Sequence, residues 1–118
     1  MENVDIKNQN TESSFPIIVS NSYIKKYYLD ERLNVLPKEI KDTIKSLFVE
    51  LTEEVGGVAE VHFDTKENDF LFKIYNDDND YNFDEINAKY KLSRIEREYR
   101  EMFDKVAEFC KFKFNGLV

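Results

Sequence analysis

The sequence predicts an α+β fold, an antiparallel β-hairpin-based sheet packed against two amphipathic helices. Three observations carry that prediction. Behind Pro37, the residues Leu36, Ile40, Ile44, Leu47, Phe48, Leu51 and Val55 recur at helical spacing and draw one apolar stripe. Two runs, Val58 to Asp64 and Asp69 to Tyr75, alternate apolar and polar residues on either side of a short polar link. Leu92, Ile95, Tyr99, Met102, Phe103, Val106, Phe109 and Cys110 draw a second helical stripe. No one of these faces can be buried alone, and an isolated hairpin is marginal in water, so the three must meet.

Taken in order, residues 1–13 read as a flexible polar N-terminal arm, and residues 14–118 as a single α+β domain. Phe15-Pro16-Ile17-Ile18-Val19 is a short strand, and the proline near its start fits an edge position. Ser20-Asn21-Ser22 breaks it. Tyr23 to Leu29 fits either a short helix capped by Ser22 or a strand, and the adjacent Tyr27 and Tyr28 lean to a strand or irregular segment ending at Asp30-Glu31.

The first helix opens at Pro37, whose missing N–H needs no partner in a first turn. Gly56-Gly57 offers the positive-φ stop at its far end, although Glu53 and Glu54 sit badly against the C-terminal dipole. In the hairpin, Asp64 opposite Asp69 brings Phe63 to Phe70, Val61 to Phe72 and Ala59 to Ile74 on one apolar face. The other face then pairs Glu60 with Lys73 and His62 with Leu71. A slip of one residue would set Val61 against Lys73, so the pattern fixes its own register.

Asn76 to Asn82 is a polar acidic loop, and Phe83, Ile86 and Tyr90 mark a short turn or helix. Ser93 followed by Glu96 has the form of a capping box opening the second helix. Past Cys110, the alternation of Lys111, Phe112, Lys113 and Phe114 suits a short closing strand or a helix end, and Gly116 ends the pattern.

Composition narrows the function classes. The 118 residues carry 17 basic and 24 acidic side chains, a net charge of -7, with Phe 10 and Tyr 7 supplying a modest core. A single Cys excludes an internal disulfide, no apolar run approaches the roughly 20 residues of a membrane span, and the acidic start lacks a signal-peptide pattern. The expectation is a cytoplasmic protein without a membrane partner. Charge is uneven: residues 58–87 hold a net of -7 and residues 88–118 a net of +3. Packing of one region near the other is the simplest account. Arg94, Arg97, Arg100, Lys111 and Lys113 form the basic concentration, but Glu96, Glu98 and Glu101 interleave with the arginines, which disfavours a nucleic-acid partner.

Three candidates for chemistry stand against plainer readings. Asp78, Asp80, Asn82 and Asp84 place oxygens at alternate positions as a calcium loop would, yet Phe83 stands where such a loop needs Gly, and Lys89 where it needs Glu. Glu60, His62 and Asp64 share one strand face and form a possible low-coordination metal or general-base set, without a second His to complete it. Cys110 lies on a helical apolar stripe and reads as a buried thiol rather than a nucleophile. No Ser-His-Asp triad, paired-glutamate arrangement or phosphate-cradling glycine loop can be assembled, and no cofactor is implied.

Seven tyrosines without a tryptophan point instead to contact surface. The leading expectation is therefore a non-enzymatic protein acting through protein–protein interaction or self-association, with Tyr23, Tyr27, Tyr28 and Tyr81 as contact residues. The alternative is a small metal-dependent enzyme or metal-binding module centred on Glu60, His62 and Asp64; Asp78, Asp80 and Asp84 are the further candidate metal ligands.

Four stretches, Asn21-x-Tyr23-x-x-Lys26-Tyr27-Tyr28, Leu36-Pro37-x-x-Ile40-Lys41, Thr52-Glu53-Glu54-Val55-Gly56-Gly57 and Tyr81-x-x-Asp84-Glu85-Ile86, resemble a family of uncharacterised small proteins from clostridia and related Firmicutes. The resemblance covers residues from about 18 to 114. It implies a bacterial cytoplasmic protein and brings no activity or binding residue with it.

Overall fold

Two hairpins build the sheet. β1 (Ser14–Asn21) and β2 (Lys26–Leu29) form the first, β3 (Val58–Asp64) and β4 (Asp69–Tyr75) the second, and β1 pairs with β3 to join them in the order β2-β1-β3-β4. Every neighbouring pair is antiparallel. The computed structural model describes residues 13–116; apart from Ser13, the polar arm expected over 1–13 lies outside the described residues. Among these, three α-helices follow rather than the two expected: α1 (Lys38–Val55), α2 (Glu85–Glu98) and α3 (Arg100–Asn115). A 3-10 helix over Glu31–Val35, not foreseen in the sequence, links β2 to α1, with Asp30 capping it through the Arg32 amide.

The β3–β4 register is the one the alternation dictates, pair by pair from Ala59–Ile74 to Asp64–Asp69. Asn68 takes a left-handed conformation (φ 57) to close the turn. α1 starts after Pro37 and ends at Gly56, as its stripe and its flanking residues require. Tyr23 to Leu29 resolves into a turn followed by a strand.

Two expectations need correction. β1 is an interior strand rather than an edge. Pro16 is accommodated because β2 pairs only with Ile18 to Asn21, and because the β1–β3 register shifts between Pro16 and Ile18 in a bulge that absorbs the missing N–H. The second helical stripe is not one helix. α2 begins after Asp84, whose side chain caps it by accepting from the Asn87 amide, so Ser93 lies inside a helix rather than capping one. The backbone then breaks at Tyr99 (φ -112, ψ 27) before α3 continues through the Lys-Phe alternation to Gly116.

The break serves packing. It lets α3 return across the sheet with Phe103 edge-on to Phe48, Phe70 and Phe72, at ring-centroid distances of 6.2, 6.2 and 5.2 Å. Ile44, Phe48 and Leu51 of α1, Ala88 and Leu92 of α2, and Phe103, Val106 and Cys110 of α3 close over Ile18, Ala59, Val61, Phe63 and Ile74 of the sheet. Each fully buried ring or branched side chain contributes about 1.5–3 kcal/mol relative to exposure. Ser20 and Thr52 place one polar contact inside this layer, their hydroxyls 2.8 Å apart, so the two satisfy each other.

The opposite sheet face carries Tyr28, Val19, Glu60 and Lys73 in one cross-strand row and Pro16, His62 and Leu71 in the next. None of these residues belongs to the core cluster.

Candidate functional site

Three of the stretches that carried the resemblance meet at one end of the sheet. Ser22 anchors the β1–β2 turn to the α1–β3 link through its amide and hydroxyl, both donating to the Gly57 carbonyl at 3.1 and 2.8 Å. Gly57 (φ 79) is obligatory, because a Cβ there would lie 2.6 Å from the Tyr75 carbonyl and 2.7 Å from the Phe83 ring. The Tyr23 hydroxyl donates to Asp80 Oδ2 at 2.6 Å and accepts from the Asp77 amide at 3.1 Å. A contact residue and a metal-ligand candidate, assigned to separate roles by sequence, are thus partners. Burial first, then the bond to Asp80, raises the Tyr23 phenol above its ordinary value.

The acidic loop is organised by its own backbone. Asp77 Oδ1 accepts from the Asn79 amide, the Asp77 carbonyl accepts from the Asp80 amide, and Asn76 donates to the carbonyls of Asp77 and Asp80. Asp84 is occupied in capping α2, away from this knot. Asp78 has no ion pair among the described residues, and no ion pair among them joins the loop to the basic last quarter. The ion pair that ties α2 to another element runs from Lys91 to Glu54 of α1, at 2.9 Å.

Beside this end opens a cleft of about 750 Å³ between the β1–β2 turn and α1. One wall is Ser20 to Ser22 with Lys25, Lys26 and Tyr27; the other is a single stripe of α1, Lys45, Val49, Thr52 and Glu53, with Gly56 just past its end. Tyr27 does not stand free in solvent. Paired with Ser20, it faces the helices and packs against the core, its hydroxyl buried without a partner among the described residues and its phenol pushed up to about 12 by that burial. Of the lysines that line the cleft, Lys26 stood in a resemblance stretch, and none was marked as a site residue in the sequence. Lys25 and Lys26 come from the β1–β2 turn and the start of β2, and Lys45 from α1, so their convergence follows from the fold rather than from spacing in the sequence.

On the opposite sheet face a second arrangement centres on Glu60. His62 Nε2 lies 2.7 Å from Glu60 Oε1, and the Tyr75 hydroxyl donates to Glu60 Oε2 at 2.5 Å. Burial pulls the carboxyl up, and the bonds from Tyr75 and His62 outweigh it, leaving Glu60 below its ordinary value. Burial and the same bond push Tyr75 up to about 12. Asp64, the third member expected here, instead turns its carboxylate to the Lys66 and Glu67 amides of the hairpin turn. Among the described residues, no group of three or more His, Cys, Asp or Glu is placed to hold a metal ion. Tyr75 was the member sequence reasoning missed. Its diagonal position across β3–β4, two residues beyond the Lys73 that opposes Glu60, was the available signal.

Of the remaining candidates, Tyr28 stands on the open sheet face and Tyr81 projects from the acidic loop, 88% exposed. Cys110 is fully buried, and burial pushes its thiol up to about 12, so it presents no thiolate. No described helix is long and apolar enough to cross a membrane. No curated protein and no solved structure matches the chain. A family model described as "Family of unknown function (DUF6145)" matches residues 15–117, which takes in the described sheet from Phe15 onward and the three described α-helices, and the chain belongs to that family.

Proposed function

We propose that this chain is a non-enzymatic binding module that contacts another protein, or a second copy of itself, through the open face of its sheet. One observation carries the reading. Tyr28 and Tyr75 remain 48% and 46% exposed on the sheet face turned away from the core cluster, where Val58, the partner of Tyr75, is the buried hydrophobic residue beneath them. Tyrosine offers a large amphipathic contact area at low entropic cost, and such residues anchor interfaces. Between them, the Glu60 carboxylate fixes His62 and Tyr75 in place, which pre-organises the surface. The protein's one imidazole is thereby held in a surface network beside a carboxylate rather than beside a nucleophile. Residues 14–118 act as one unit in this reading, supported by a single core cluster running from Ile17 to Cys110. A bacterial cytoplasmic setting is supported by the resemblance and by the lone, buried cysteine.

The test compares wild-type protein with Tyr28→Asp as bait in a host lysate, together with sedimentation equilibrium of each. The expected result is a near-stoichiometric macromolecular partner, or a dimer mass, that the substitution abolishes while the melting temperature stays unchanged. A monomer that captures nothing, or capture indifferent to Tyr28→Asp, overturns the reading.

A further inference from the structure

We infer that the cleft between the β1–β2 turn and α1 binds a small organic phosphate. Its volume of about 750 Å³ falls in the range of small-molecule sites. Lys25, Lys26 and Lys45 converge on it, and none of the three forms an ion pair with a described residue. Against them stands Glu53 alone, so the cleft lining is cationic in a chain whose net charge is -7. Uncompensated ammonium groups sharing one concavity repel one another, and a dianion between them removes that repulsion.

The backbone supports the same assignment. Lys25 occupies the left-handed region (φ 53), a conformation that strains a non-glycine residue. The turn holds it there through the Asn21 side chain, which accepts from the Tyr23 amide, and through the Tyr23–Asp80 bond. The strain places Lys25 beside Lys26 at the cleft mouth.

The organic body has its own surface. Val49 and the Tyr27 ring give an apolar floor, with Lys45 Nζ 5.8 Å from the ring centroid, and the Ser20 and Thr52 hydroxyls close the back. The ligand must also be small. At Gly56 the cleft meets the acidic loop, where a Cβ on that glycine would stand 3.9 Å from Asp80 Oδ2. A long polyanion would run from the lysines onto that carboxylate, which excludes nucleic acid and favours one compact phosphate ester.

The experiment titrates adenosine monophosphate, and separately inorganic phosphate, into the full chain while following backbone amides by NMR. Saturable shifts at Ser22, Lys26, Val49 and Thr52 are expected with adenosine monophosphate, and about tenfold weaker binding with inorganic phosphate. Lys26→Glu and Lys45→Glu, both exposed positions, should each weaken binding by about tenfold or more, whereas Lys111→Glu outside the cleft should not. No saturable shift from either probe at millimolar concentration overturns the inference, as does binding that survives both cleft reversals. Equal affinity for the two probes overturns the assignment of an organic body. Tyr28→Asp leaves all these outcomes unaltered, so the cleft and the sheet-face reading fail separately.

Discussion

Tyr23 and Asp80 lie 57 positions apart in sequence and are joined by a 2.6 Å hydrogen bond that fastens the β1–β2 turn to the acidic loop. The same hydroxyl accepts from the Asp77 amide. Tyr23→Phe keeps the ring and removes both bonds. Because the site is exposed, the expected loss of global stability is at most about 1 kcal/mol. The local effect should be larger than the global one. Hydrogen exchange at the Asp77 amide is expected to accelerate about fivefold or more, with β3 amides unchanged. Unchanged exchange at Asp77 would show that the loop holds itself.

Tyr27→Phe should have the opposite sign. The Tyr27 oxygen is buried without a partner among the described residues, so its removal relieves a desolvation penalty and leaves the ring in place. A stabilisation of about 1 kcal/mol is expected in urea unfolding at neutral pH. A clear destabilisation would reveal that the hydroxyl is satisfied in solution.

The glycines separate space from conformation. Gly57→Ala meets the Tyr75 carbonyl and the Phe83 ring at under 3.0 Å, in addition to its positive φ, and is expected to cost at least about 3 kcal/mol. Gly116→Ala has a similar φ of 68 but meets nothing within 4 Å, so only the left-handed strain of about 1 kcal/mol remains. Thermal melts of the two variants should differ accordingly, and equal melting temperatures would refute the steric argument.

Stability should fall at both ends of the pH scale. Tyr27 and Tyr75 titrate near 12 in the folded chain and near 10.0 when unfolded. The unfolded state therefore loses its phenolic protons first, and stability present below pH 10 is lost as pH rises toward 12. Tyr75→Phe should flatten part of that alkaline decline. Glu60 runs the other way: its folded pKa lies below its ordinary 4.5, so its contribution is present above that value and lost on acidification through the folded one. Urea midpoints measured from pH 3 to 12 on wild type, Tyr75→Phe and Glu60→Gln check both limbs.

What the sequence made legible followed from period. The β3–β4 register could be read pair by pair because only one alignment puts Val61, Phe63, Phe70 and Phe72 on one side. The end of α1 was equally plain, since Gly56 supplies the required φ. The α2–α3 break was not, because Ile95, Tyr99 and Phe103 continue an unbroken stripe, and the turn at Tyr99 answers to the sheet rather than to local propensity. Pro16 misled because an edge strand and a bulge tolerate proline for the same reason, a missing donor. Of the contact candidates, Tyr27 and Tyr28 are neighbours in sequence and point to opposite faces, a distinction that only the pairing with Ser20 and Val19 supplies. The cleft lysines stayed hidden for the same reason.

The bulge at Pro16 also bears on how copies of this chain can add to one another. Along the part of β1 that β2 leaves uncovered, Pro16 has no amide to donate, and the Ile17 carbonyl already accepts from the Asp30 amide at 2.8 Å. Arg32 lies over the Phe15 ring beside them, 5.2 Å from its centroid. A strand arriving from another molecule would meet a missing donor, an occupied acceptor and a bound cation. Addition of a strand from another molecule is disfavoured at that gap, which leaves β2 and β4 as the edges where a strand could add.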